Sequence, residues 1–119
     1  MNAQDLIQKI KQHPDFNKVG MILCHNGVVR GTSRDGRQVT GLKVSVDHEK
    51  LKTVLETHKK SPGIVEILIE IAEEKVLHIG DDVMFLVVAG DIRDHVLSTL
   101  GDTLNAVKTT VTTKEEYFK

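Results

Sequence analysis

Tryptophan is absent from this chain, tyrosine occurs once, phenylalanine three times, and one cysteine, Cys24, stands alone among 119 residues. A lone thiol cannot form an intramolecular disulfide, and a core with 3% aromatic residues must be built from aliphatic side chains. Cys24 lies in an apolar run, where a thiol behaves as a small hydrophobe, so it is not read as a nucleophile. The six histidines are scattered and never fall at metal-ligand spacing, which argues against a structural metal; no cofactor is expected. An excess of one charge is also missing, since 16 lysines and arginines against 17 acids leave a formal net charge of −1. No global field would draw in nucleic acid or an anionic membrane, and any anion site must be local. No apolar run approaches the roughly 20 residues of a membrane span, and the opening MNAQDLIQKIKQHPDF lacks the apolar heart of a signal peptide. The expected location is cytoplasmic.

What is present suits one domain over residues 1–119, with an apolar fraction of 39% and a charged fraction of 28%. Leu6, Ile7 and Ile10 give residues 3–12 a helical stripe that stops at His13, because Pro14 disfavours helical geometry in the residue before it. The run VGMILCHNGVV, Val19–Val29, is strand-like, with Gly27 marking a bulge or a close backbone approach. RGTSRDGRQ follows as a polar turn joining it to a second strand, Val39–Val46. Asp47 can cap a helix from His48 to about Lys60, with Leu51, Val54 and Leu55 facing inward, before Ser61, Pro62 and Gly63 end it. Ile64–Ile71 sets Val65, Ile67, Ile69 and Ile71 on one face against Glu66 and Glu70. Residues 72–79 continue less regularly, Gly80–Asp82 make a turn, and Val83–Ala89 is the continuous apolar run of a central strand.

Beyond it, Val96, Leu97, Leu100, Leu104 and Val107 form a helical stripe, with Asp91 as N-cap and Asp94 in the first turn, where a carboxylate favours the positive end of the dipole. Its end is less defined. Gly101 weakens the interior by roughly 1 kcal/mol relative to alanine, and the β-branched run Thr109–Thr113 prefers extended backbone. Helix, strand, strand, helix, strand, strand, helix predicts an α+β fold with a mixed, mainly antiparallel sheet covered by helices.

Arginines and lysines without paired acids or histidines point to binding and positioning of an anion rather than to acid–base hydrolysis. Arg30, Arg34 and Arg37 form the densest arginine cluster, and Arg93 opens the last helix; a planar guanidinium grips phosphate or carboxylate bidentately. The competing reading of the cluster is a solvated turn. Lys108 and Lys114 are the nucleophile candidates, since neighbouring cations or burial free an amine's lone pair. Solvated lysines beyond a helix end are the alternative. His25 and His95 have no carboxylate or metal partner in the sequence and are read as satisfied or exposed.

The order and spacing of these pieces, from Gly20 to Phe118, resemble the large, catalytic subunit of molybdopterin synthase. Gly27, Val28, Val29 and Arg30 match that family's strand end, Gly36 and Arg37 its glycine-arginine pair, followed by Val39 and Leu42. Gly80 and Asp81 match its glycine-acid turn. Ile92 and Arg93 stand at its histidine-arginine pair, and Leu97, Leu100, Val107 and Lys108 follow at its helical steps without a gap. With a one-residue gap after Lys108, the residues Lys114, Glu116 and Phe118 take the family's lysine, glutamate and aromatic places; without it, Glu115 falls where the second lysine stands.

The resemblance implies an α/β-hammerhead-like fold and a role in molybdenum cofactor biosynthesis. In that family a small ubiquitin-like subunit carries sulfur as a C-terminal thiocarboxylate, and two transfers turn cyclic pyranopterin monophosphate into the dithiolene of molybdopterin. It assigns Lys108 and Lys114 as catalytic and Arg30, Arg37 and Arg93 as anion-binding, in a homodimer within a heterotetramer. Arg93 and Lys108 are 15 positions apart, roughly 22 Å along a continuous helix. Either the helix breaks near Gly101 or the arginine comes from a neighbouring subunit, and the second is expected. The rival reading is a non-catalytic module that binds the ubiquitin-like partner or another anionic ligand.

Overall fold

The computed structural model describes residues 2–119. In chain order it contains α1 (Ala3–Lys11), β1 (Met21–Val28), β2 (Val39–Val46), α2 (His48–Lys59), β3 (Ile64–Ile71), β4 (Leu77–His78), β5 (Asp82–Gly90), α3 (Arg93–Ala106) and β6 (Thr112–Phe118). A 3-10 turn, Phe16–Lys18, precedes β1, and a π turn, Val107–Val111, joins α3 to β6.

The apolar run in β5 is continuous because both of its faces are covered. Met84, Leu86 and Val88 pack into one cluster with Ile67, Val96, Val107 and Val111, while Phe85, Val87 and Ala89 meet Leu6 and Ile10 of α1 in another. β5 therefore lies in the middle of a three-stranded sheet, antiparallel to β1 on one side and β3 on the other. α2 and α3 cover the first face and α1 the second. Side chains cap the first two helices: Asn2 Oδ1 accepts from the Asp5 amide at 2.8 Å, and Asp47 Oδ1, as the sequence predicts, from the Lys50 amide at 3.1 Å.

The remaining strands form a second antiparallel sheet in the order β4-β2-β6. The α+β class holds, with two sheets in place of one. β1 and β2 are consecutive yet pair with different partners, so the polar segment between them crosses from sheet to sheet. It folds as a small turn of its own, with Thr32 bridged to Gln38 and Gly36 in a left-handed conformation at φ 88°. Val29, Ala72 and Leu77, packed with Leu42 and Val83, fill the seam between the sheets.

Other local expectations are corrected. The Thr-rich run is only partly extended: residues 109–111 belong to the π turn and 112–118 to β6, a strand not expected from the sequence order. The buried face of α3 is Val96, Thr99 and Thr103, continued by Val107 in the π turn, while Leu97 is 50% exposed. Thr103 tolerates complete burial because its hydroxyl donates to the Thr99 carbonyl at 2.7 Å. Val65 falls at a register irregularity in β3, so it is Ile64, with Ile67, Ile69 and Ile71, that joins the cluster beneath α2 and α3. Ile92 rather than Asp91 is the residue flanking α3. Asp91 sits one place earlier, its Oδ1 accepting from the Ile92 amide at 2.6 Å and from His95 Nδ1 at 2.8 Å. Gly63, at φ 76°, leaves room for this pair, since a Cβ there would collide with the Asp91 carboxylate and the His95 ring. Among the described residues, no helix is long and apolar enough to cross a membrane.

Candidate active site

The seam between the sheets opens on one side into a cleft of about 660 Å³, and the segments that line it are held by different devices. Lys108 is carried by the π turn. Val107 and Val111, 0% and 3% exposed, anchor that turn from inside. From outside, the Thr109 hydroxyl donates to the Asn105 carbonyl at 2.8 Å and that of Thr110 to the Ala106 carbonyl at 2.6 Å. Side-chain hydroxyls that bond back to the previous turn loosen the regular helical ladder, and such widened turns occur often at functional sites. Lys108 projects between these anchors as an exposed residue of the cleft wall.

β6 supplies a second wall. Its pairing sets Lys114 opposite Val44 and Glu116 opposite Leu42, and alternation places Thr112, Lys114 and Glu116 on one face. All three line the cleft, whereas Glu115 lies on the opposite face. Lys114 Nζ stands 3.9 Å from Glu116 Oε1. The third wall is the end of β1 and the loop after it, through His25, Gly27, Arg30, Thr32 and Arg34. Arg30 is oriented by a hydrogen bond from its Nε to the Thr32 carbonyl at 2.8 Å. Four cationic side chains, Arg30, Arg34, Lys108 and Lys114, thus face one carboxylate, Glu116, in a chain whose net charge is −1.

His25 is the member of this wall that sequence reasoning missed. It is neither exposed nor satisfied: Nε2 is buried and has no hydrogen-bond partner among the described residues. Burial, and after it the charge of Lys108, push its pKa below the ordinary value of 6.5. Met21 and Leu23 lie in the cluster beneath α3, and a two-residue period puts His25 on that same face. That alternation was the available signal. Gly27 does coincide with a bulge, as its sequence context predicts, because the β1–β5 register shifts between Gly27 and Val28.

The two other arginine candidates lie apart from the cleft lining. Arg37 donates from Nε to Asp35 at 3.0 Å and stacks its guanidinium 3.8 Å above the Phe118 ring. Asp35 also accepts from the Ser33 hydroxyl, and that bond, followed by the contacts of Arg37, holds its carboxyl below the usual range. Arg93 is the first residue of α3, next to the end of β5 where Gly90 pairs with Met21, whereas the cleft adjoins the other end, where Met84 pairs with Gly27. α3 is unbroken through Gly101. His95, read from sequence as lacking a carboxylate partner, has one in Asp91, whose carboxyl this bond holds below its usual range.

The family model described as "MoaE protein" matches residues 1–110 of this sequence. The chain belongs to the MoaE family. Lys108 lies inside the matched stretch and Lys114 beyond it. Three solved structures share the fold of this MoaE family member. Molybdopterin synthase from Staphylococcus aureus superposes with a TM-score of 0.79 at 18% identity, covering 100% of this chain and 86% of that one. Molybdopterin cofactor biosynthesis protein E from Burkholderia multivorans gives 0.78 at 18% identity, covering 100% and 82%. A complex of subunits 1 and 2 of molybdopterin-converting factor from Helicobacter pylori gives 0.71 at 16%, covering 99% and 84%. No curated protein sequence matches the chain.

Proposed function

We propose that this MoaE family member works in molybdenum cofactor biosynthesis as the large subunit of a molybdopterin synthase. A small ubiquitin-like partner delivers sulfur as a C-terminal thiocarboxylate, its tail enters the cleft, and two transfers convert cyclic pyranopterin monophosphate into the dithiolene. The observation that supports this reading is the convergence of Arg30, Lys108 and Lys114 on one cleft from three separate segments. Arg30 suits the substrate phosphate or the partner's terminal carboxylate, which a guanidinium binds bidentately. Lys108 attacks or orients the thiocarboxylate carbon, with Lys114 opposite it stabilising the negative charge that develops. The sulfur leaves the acyl carbon for the pterin side chain, and water supplies the oxygen that restores the partner's carboxylate.

Arg93 enters this scheme from a second copy of the chain. About 22 Å of helix separates it from Lys108 within one chain, and the exposed apolar residues Ile92 and Leu97 flank it on the surface. A two-fold homodimer bearing one small subunit on each copy gives a heterotetramer. The Helicobacter pylori complex of subunits 1 and 2 supports a two-subunit arrangement of this kind.

A second reading is favoured by Ile92, 52% exposed where a histidine precedes the arginine in the family: a module that docks the ubiquitin-like partner without transferring sulfur. Incubating the purified chain with thiocarboxylated partner and cyclic pyranopterin monophosphate separates the two. Dithiolene product is the expected result, and partner binding without product rejects the enzyme in favour of the module.

A further inference from the structure

His25 carries an observation that sulfur transfer by lysines leaves unused. Its Nε2 is buried and has no hydrogen-bond partner among the described residues, although the ring lines the cleft beside Lys108. Buried polar atoms in folded proteins are almost always paired, and an exception inside a functional cleft marks a place where a ligand completes the pairing. Gly27, two residues along the same strand face, supplies the room. A Cβ added at Gly27 would stand 3.4 Å from His25 Nε2, with Met84 Cβ at 3.7 Å and the Met84 amide nitrogen at 3.9 Å as its next neighbours. Glycine at this position therefore leaves the strand face beside Nε2 free of any side chain.

We propose that His25 is a further binding residue of this cleft, its Nε2 donating a hydrogen bond to an anionic oxygen seated over Gly27, with Lys108 paired to the same anion. The oxygen belongs to a phosphate or a carboxylate, the two anions that the sulfur-transfer reading brings to the cleft, and the inference rests on that reading. Charge supports it. The ionisable groups facing the ring across the cleft are Lys108, Lys114, Glu116, Arg30 and Arg34, and its neighbours on β5, Met84 and Leu86, are apolar. Burial and, after it, Lys108 favour the neutral imidazole as long as no anion is bound. An anion offsets the Lys108 charge and favours the imidazolium, so binding takes up a proton and tightens as the pH falls.

Two probes test this and separate the sources: inorganic sulfate, a phosphate surrogate whose charge is constant across the range used, and glycylglycine, a carboxylate on a glycine tail. In the full chain the His25 ring resonances should move on adding sulfate or glycylglycine, and whichever moves them names the source. Binding of that probe should weaken about tenfold in His25→Phe and in Gly27→Ala, which fills the space over the strand, and should lose its pH dependence in His25→Phe. If the probe perturbs Lys108 while the His25 ring is unmoved, or if both variants bind as the wild type does, the contact is overturned and the cleft reading stands. Failure of both probes to perturb Lys108 or His25 overturns the contact and the anion-binding reading together.

Discussion

The cleft joins side chains that differ in what holds them. Arg30 is fixed by its bond to the Thr32 carbonyl, Lys108 only through the turn that carries it, and His25 by burial beside a cation. That last arrangement leaves a trace in stability. The folded-state pKa of His25 lies below its unfolded value of 6.5, so below that pH the unfolded chain binds more protons at this site than the folded one. The contribution of neutral His25 is therefore complete above about pH 6.5 and is lost as the pH falls through and below it. Urea unfolding of the ligand-free protein and of His25→Phe at pH about 7.5 and about 5.5 should show wild type losing ground to the variant at the lower pH. Parallel losses in the two would contradict the assignment. Arg30 and Lys108 were legible in the sequence because the resemblance covers them without a gap. The unpaired state of His25 was not, because it depends on which rows of side chains α3 covers.

Among the elements, α3 runs directly into the π turn that carries Lys108. The helix is regular through Gly101, and a Cβ there meets nothing within 4 Å. Gly101→Ala should accordingly raise the unfolding free energy by about 0.5–1 kcal/mol, from helix propensity and the reduced freedom of the unfolded chain, and leave turnover unchanged. Urea titration and the product assay check both halves, and a destabilised Gly101→Ala would mean that the helix yields there. Strands β2 and β3 were readable to the residue because Asp47 ends one by capping a helix and Gly63, after Pro62, opens the other. The π turn was not. Thr109 and Thr110 are extended by propensity, yet here their hydroxyls bond back to the preceding turn while Val107 and Val111 are drawn into the core, and tertiary burial overrides local preference. The exposure of Leu97 has the same origin, since packing selected the row containing Thr99 and Thr103.

At the scale of the molecule, the division into two sheets was the least legible feature, because it depends on pairing between distant strands: β1 with β5 and β2 with β6. The cleft is a product of that division. The chain measures 49 × 25 × 23 Å, and Arg93 lies near the end of β5 away from Lys108. If two copies complete each other's sites, mixing Arg93→Ala with Lys108→Ala should restore about a quarter of wild-type turnover, since half the dimers formed at random hold one intact site of two. Activity no greater than that of either variant alone would contradict a shared site.

The most direct measurement is product formation by Lys108→Ala and Lys114→Ala in the assay reconstituted with thiocarboxylated partner and cyclic pyranopterin monophosphate, after circular dichroism and partner binding confirm that each variant is folded. Sulfur transfer in this cleft predicts about a hundredfold or greater loss of turnover for Lys108→Ala and about tenfold for Lys114→Ala, with partner affinity little changed. Dithiolene formed at the wild-type rate by both variants would contradict it.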